Sequence, residues 1–465
     1  MYREQIDRFF EENKENMLSD LERLVNIKSV REEAKEGKPF GEGPAKVLAE
    51  AMKVVQEHGL DAKNFDNYVV TAEAGPQPAE LGILAHLDVV PEGKGWDTDP
   101  YKMARKDGYI YGRGVSDDKG PAIAGLYAIL AAQKIAGGFK KGVRLILGSA
   151  EETGSEDLKY YFKQEAAPPF SFSPDASYPV INIEKGSHGP VFSKKWEKSC
   201  ETPRVACLHG EKTANIVPME SEADVAGMKA ADVRPFADKA EETGVKFTLT
   251  DTEAGVHIHA LGHAAHASTP ELGKNALQAM LQLLASMPLA DLPSTKAVKD
   301  LNRLFPYGDY SGTAIGVAQE DELSGKLTLN FSICDMDEEG FTARYDSRCP
   351  ICANKENMAD VVLKAFDQCG FEYTRTQMRP PHHVPADLPF VQTLLKVYEE
   401  YTGNKGECLA IGGGTYAHDI EGSVAFGCEM PGHEYHIHGA NEVNSIDELL
   451  LGAKMFTQII LDMCC

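Results

Sequence analysis

Five short segments hold the residues best suited to chemistry: His86-Leu87-Asp88, Asp117-Asp118-Lys119-Gly120, Glu151-Glu152, Asp175 and His438. Carboxylates and imidazoles scattered over strand ends can converge on two divalent ions, with one further carboxylate left to take a proton from water. Each segment alone has a commoner explanation. His86 with Asp88 fits a structural histidine beside an acid, Asp117-Asp118 an acidic helix N-terminus favoured by the helix dipole, and Glu151-Glu152 an exposed acidic pair. Their order and company imply a metallohydrolase.

The local spacing assigns different work to neighbouring acids. Residues two apart at a strand end point the same way, so Asp88 is expected to accept the second ring N–H of His86 and fix its metal-binding tautomer. After the Gly112-Arg113-Gly114 turn, one carboxylate of Asp117-Asp118 can lie between two ions while the other addresses a helix or the backbone. The side chains of Glu151 and Glu152 diverge beyond a strand, so one can bind metal and the other act as general base.

The elements that must position these residues alternate. Leu81–Ala85 is an apolar, strand-like run ending at His86, and 143–149 is another ending just before Glu151. Gly120–Gln133 reads as a helix with Pro121 in its first turn. This rhythm predicts an α/β domain with a mixed, largely parallel sheet flanked by helices, and acids just past the apolar runs lie where such sheets bind ligands. From 187 to 383 the pattern changes, with strand-like Phe247–Leu261 and Lys326–Asp335 and helical Lys274–Met287 and Asn357–Cys369. We expect an inserted α+β domain over 187–383, dividing the first domain into 1–186 and 384–465. The second part contains helices over Leu388–Thr402 and Ile446–Cys465, a glycine-rich turn at 410–416 and a short strand at 423–427.

Composition removes several classes of function. The chain has 465 residues with 43% hydrophobic content, enough for two or three domains. Lys+Arg of 47 against Asp+Glu of 71 gives a net charge of −24, which argues against nucleic-acid and anionic-membrane partners. The first thirty residues lack an apolar signal core and read as an amphipathic helix. The apolar run 121–135 contains Gln133 and Lys134 and is too short to span a membrane. The ten cysteines are scattered, and Cys349-Pro-Ile-Cys352 lacks a second ligand pair, so reduced thiols in a cytoplasmic protein are expected.

The segments LAHLDVVPEGKGWDTDP, YIYGRGVSDDKGP, SAEETGSED, SPDASYPV, GHAAHASTPELGKNA, AIGGGTYAH and HIHGANE together resemble the co-catalytic zinc peptidase family of aminoacylases, carboxypeptidases and dipeptidases. The resemblance extends over nearly the whole chain. It implies that His86 and Asp175 ligate one metal, Glu152 and His438 the other, and Asp117 both. It makes Asp88 the partner of His86 and Glu151 the general base. The pattern His-x-x-Asn-Glu selects His438 over His433 and His436, and Ala-His-Ala-Ser selects His266 over His263 as the residue polarising the scissile carbonyl.

Asn215, Arg348, Gly413 and Gly414 match substrate-holding positions of that family. The planar fork of an arginine suits a terminal carboxylate. The turn Gly412-Gly413-Gly414-Thr415 lacks the lysine and spacing of a phosphate loop. His418 stands where the resemblance leads us to expect a basic residue, often arginine, which bears on substrate preference. The long insertion matches the family branch whose lid has two similar halves, implying a monomer that takes small peptide substrates. The implied activity is hydrolysis of unblocked dipeptides with two divalent ions, zinc first and manganese or cobalt as alternatives. Removal of an acyl or succinyl group from an amino acid is the alternative on the same site.

Overall fold

A computed structural model describes residues 2–465; Met1, with which the expected first segment begins, lies outside the described residues. Two compact units are present. The first comprises residues to Ile183, His383–Leu409 and Gly414–Cys465, and the second Glu184–His382 with Ala410–Gly413. The second unit therefore also takes in the first half of the glycine-rich turn.

The first unit is built on a twisted mixed sheet. Its strands run in the order Asp61–Phe65, Val69–Ala74, Gly142–Gly148, Ala79–His86, Phe170–Ser173, Ser423–Ala425 and Val180–Glu184. The four from Gly142–Gly148 to Ser423–Ala425 are mutually parallel, and the flanking pairings are antiparallel. Alternation along the two central strands shows why both read as largely apolar runs, broken only by Arg144 within 143–147 of the second. Ile83, Ala85, Leu145 and Leu147 enter one core, whereas Leu84 and Ile146 enter a second with Leu158, Tyr161 and Tyr416. A parallel sheet covered on both faces has no polar side to display.

The larger core is closed by Arg3–Val25, Glu42–Glu57, Lys119–Ala136, Pro389–Thr402 and Ile446–Cys464. Lys119–Ala136 is apolar almost all round because it is surrounded, which explains its near-membrane composition. No helix among the described residues is long and apolar enough to cross a membrane. Gly137 ends this helix with φ of 71°, a left-handed cap natural to glycine. All ten cysteines are free thiols.

The second unit is α+β. Its antiparallel sheet runs Lys246–Asp251, Gly255–Leu261, Glu220–Ala226, Arg204–His209, Thr328–Met336, Gly340–Cys349, Val191–Lys195 and Glu372–Thr374. Among the described residues, two residue pairs, Leu208–Met336 and His209–Asp335, join its two four-strand halves. Val256, Ile258, Ala223 and Val225 face helices Ala230–Ala240 and Ala276–Ser286, while His257, His259, Glu222 and Asp224 alternate with them outward. Phe192 centres the aromatic packing, with ring centroids 4.3 Å from Phe366 and 5.7 Å from Phe371.

Candidate metal centre

The chemistry-bearing residues of the first unit gather past the carboxyl ends of its parallel strands. His86 is the last residue of its strand. Its ring Nδ1 lies 2.9 Å from the main-chain oxygen of Asp88 and 3.5 Å from Asp88 Oδ1. Facing only acceptors, Nδ1 carries the proton, and the lone pair of Nε2 is directed into the cluster. There Nε2 is 2.9 Å from Asp117 Oδ1 and 3.4 Å from Asp175 Oδ2.

Asp117 divides its two oxygens. While Oδ1 faces His86, Oδ2 lies 3.0 Å from His438 Nε2, which is also 3.2 Å from Glu152 Oε1. Two groups can each surround a cation: His86, Glu151 and Asp175, and His86, Asp117 and Glu152, with ligand atoms of each group within 4.8 Å of one another. His86 Nε2, Asp117 Oδ1 and Glu152 Oε1 are buried and make no hydrogen bond. Buried donors and acceptors are nearly always paired, so three such atoms aimed at one space fit a bound cation. The residues present thus suit a bound divalent cation, with His86 common to both groups and Asp117 facing both imidazoles.

Electrostatics agree. Burial, reinforced by Asp175, Glu152 and Asp88, holds the Glu151 carboxyl well above the usual range, and burial with Asp117 pushes Asp175 up to about 7. Burial also opposes ionisation of Asp117, but contacts with His438 and His86 outweigh it and leave its carboxyl below the usual range. Asp117 and Glu152 in turn push His438 up to about 11. Asp88, Asp117, Asp118, Glu151, Glu152 and Asp175 concentrate negative charge around two imidazoles, a balance that divalent cations restore.

The surroundings explain how the acids are held and amend one expectation. The Asp88 carboxylate is committed chiefly to backbone: Oδ1 accepts from Glu151 N at 3.1 Å and Oδ2 from Glu152 N at 3.2 Å. It is the main-chain oxygen of Asp88 that takes the closer position to the His86 ring. Asp118, the second carboxylate of its doublet, addresses the backbone as expected, accepting the His86 N–H at 3.0 Å. Asp157 was missed altogether. Its Oδ2 accepts from Ser149 N at 2.5 Å and Ala150 N at 2.8 Å, and contacts the Tyr416 hydroxyl, fixing the turn into Glu151. Lys119 lies fully buried with Nζ on the carbonyls of Leu24 and Ile27, and burial lowers it to about 7. Gly120 admits no side chain, since a Cβ there would stand 2.1 Å from Val115 O.

Of the three clustered histidines, His438 stands beside Asp117 and Glu152, whereas His433 faces Glu448 and His436 faces Glu434. In the second unit, His266 and Asn215 lie on paired segments, with Ala267 N donating to Asn215 O at 2.9 Å. His266 Nδ1 accepts from Ser268 N at 3.2 Å and lies 2.6 Å from Ser268 Oγ, which leaves Nε2 as the protonated nitrogen and a donor. Arg348 is engaged rather than open: Nε and Nη2 bind the Asp346 carboxylate at 2.8 and 3.0 Å, and Nη1 binds Gly412 O at 2.5 Å. Asp346 and Arg348 are two apart on one strand, a spacing that carried this signal. Gly413 belongs to this unit and Gly414 to the first.

Comparisons with known proteins place the chain. Beta-Ala-Xaa dipeptidase of Lactobacillus delbrueckii subsp. lactis is 34% identical over 467 residues, covering 97% of either chain. Putative dipeptidase YtjP of Bacillus subtilis (strain 168) is 33% identical over 456 residues, again covering 97% of each. Among solved structures, human carnosine dipeptidase 1 matches with a TM-score of 0.58 at 15% identity, covering 99% of each chain, a likeness of fold. The model of peptidase family M20/M25/M40 matches residues 82–462, a span that holds every ligand candidate from His86 to His438. The chain belongs to the metal-dependent peptidase family M20/M25/M40.

Proposed function

We propose that this protein is a dipeptidase that hydrolyses unblocked dipeptides at a pair of divalent metal ions, zinc first. The observation that carries this reading is the divided Asp117 carboxylate, one oxygen toward His86 and the other toward His438, within a buried excess of acids. The dipeptidase names of relatives that match over almost their whole length support the substrate class. His86 and Asp175 serve one ion, Glu152 and His438 the other.

When bound, the ions polarise the scissile carbonyl and make a water molecule acidic enough to ionise near neutral pH. Glu151 accepts a proton from the attacking water and passes it to the nitrogen of the leaving amino acid. Its backbone is steadied for this by Asp88 and by the Asp157-held turn. His266, protonated on Nε2, donates to the substrate carbonyl oxygen as negative charge develops there. Asn215, Gly413 and Gly414 hold substrate, and Arg348, steadied by Asp346, offers its remaining N–H groups to the terminal carboxylate.

The test combines metal content with a substrate panel. Wild-type protein should hold two equivalents of Zn2+ and hydrolyse free dipeptides in preference to N-acetyl and N-succinyl amino acids. Glu151→Gln should retain both metals and lose roughly 100-fold or more in kcat. Preference for the acylated substrates, or full activity in that variant, would sink the proposal.

A further inference from the structure

Glu442 is fully buried near the cluster, at 0% exposure, yet it belongs to neither candidate cation group. Its carboxylate gathers the loop that leads into Asp117. Oε1 accepts from Ser116 N at 2.9 Å and Asp117 N at 3.1 Å, and Gly114 N lies 3.1 Å from both oxygens. These N–H groups, from Gly114, Ser116 and Asp117, converge on one anion as in a nest, here occupied by a side chain of the protein itself. Gly114, at φ of 92°, permits the turn that aims them.

Arg113 completes the arrangement. Its Nη1 binds Glu442 Oε2 at 2.7 Å, and its Nη2 binds the carbonyl of Gly439, next to His438, at 2.9 Å. The guanidinium lies 5.3 Å from the Trp96 ring centroid, and both members of the ion pair are inaccessible, at 1% and 0%. The turn it grips needs holding. His438 and Asn441 are left-handed, with φ of 61° and 59°, a conformation that costs a non-glycine residue on the order of 1 kcal/mol. Asn441 adds a brace, accepting from Asp97 N at 2.8 Å.

We propose that Arg113 and Glu442 form a buried clamp that sets metal affinity without touching metal, by fastening the Asp117 loop and the His438 turn to each other. These are positioning residues. Glu442 fixes the backbone from which Asp117 reaches toward both ions, and Arg113 ties that anchor to the turn presenting His438. A buried ion pair is a poor source of net stability, which leaves positioning as its contribution. The inference rests on the reading of Asp117 and His438 as ligands.

The experiment measures Zn2+ and Co2+ affinity by chelator competition, the Co2+ absorption spectrum, thermal stability, and kcat and KM on a dipeptide. Glu442→Gln keeps the shape but leaves an amide NH2 facing backbone N–H groups. It should weaken metal binding 10- to 100-fold, alter the Co2+ spectrum, and lower kcat more than it raises KM. Arg113→Lys loses the fork to Gly439 but leaves the nest, so it should weaken one ion more than the other; it is the decisive variant if Glu442→Gln does not fold.

Asn444→Ala removes another buried bond between the same segments, Asn444 Nδ2 to Val115 O at 3.2 Å. It should lower thermal stability while leaving metal affinity within about threefold, separating positioning from general destabilisation. Unchanged metal affinity and spectrum in both clamp variants would overturn the inference, as would equal weakening by Asn444→Ala. Wild-type protein that binds no metal would instead refute the metal-site reading beneath it.

Discussion

Substituting Asp88 by asparagine separates two roles that the sequence alone merges. The carboxylate accepts one backbone N–H on each oxygen, from Glu151 at 3.1 Å and Glu152 at 3.2 Å, in a site where Asp88 is 1% exposed. Asparagine offers one acceptor and one NH2, so one of the two N–H groups would face a donor. Loss of one charge-assisted bond in a buried site costs about 1.5–3 kcal/mol, or roughly 10- to 100-fold if the cost appears in the transition state. The His86 ring is affected less, because its closer partner is the main-chain oxygen of Asp88, which survives the substitution. Asp88→Asn should therefore lower kcat by that factor at saturating Zn2+, with affinity for the metal on the His86 side reduced less than tenfold. Metal titration by chelator competition, followed by steady-state kinetics at saturating metal, reads both quantities. A large fall in that affinity with kcat fully restored at saturating metal would refute the reasoning and return the Asp88 carboxylate to the His86 ring.

Further outcomes follow from other parts of the structure. Chelation should abolish dipeptide hydrolysis and lower the melting temperature by several degrees, both reversed by Zn2+, since a ligand bound at about a thousand times its Kd stabilises the folded state by about 4 kcal/mol per site. Arg348→Lys should raise KM for a free dipeptide at least tenfold while affecting the dipeptide amide less; equal effects on both would remove the carboxylate contact. In the second unit, burial holds His188 down at about 4, against an ordinary value near 6.5. Between those values the unfolded chain binds the proton and the folded chain does not, so His188 contributes stability above about pH 6.5 that is lost as pH falls toward 4, up to about 3 kcal/mol. Urea unfolding at pH 7.5 and 5 should show that loss in wild type and less of it in His188→Gln.

Much of the first unit was legible because its requirements are local. The runs before His86 and Glu151 are largely apolar, with Arg144 the charged exception, since both faces of their strands are covered, and the Lys119–Ala136 helix announced itself by its composition. The acids past these runs could be located from the same logic. Contacts distant in sequence were not legible. Nothing near Glu442 indicates that its partners lie at Arg113 to Asp117, and nothing near Asp157 points to Tyr416. Arg348 shows a different limit. The Asp346-Ser347-Arg348 spacing was readable, but as an unselected pair on a strand it did not stand out from ordinary surface charges.

The paired acids acquire a common explanation once their partners are known. A candidate ligand needs its side chain free to face a cation, so the backbone beneath it must be fixed by something else, and here that anchor is repeatedly another buried carboxylate accepting N–H bonds. Asp118 holds His86, Asp88 holds Glu151 and Glu152, and Glu442 holds Asp117. Each anchor adds negative charge to a site already rich in it, which raises the attraction for divalent cations and also the cost of the fold without them. The sequence doublet Asp117-Asp118 is then a candidate ligand followed by the anchor of a different candidate ligand. Replacing Asp118 by asparagine should accordingly weaken metal binding through His86, although Asp118 occupies neither of the two candidate cation groups.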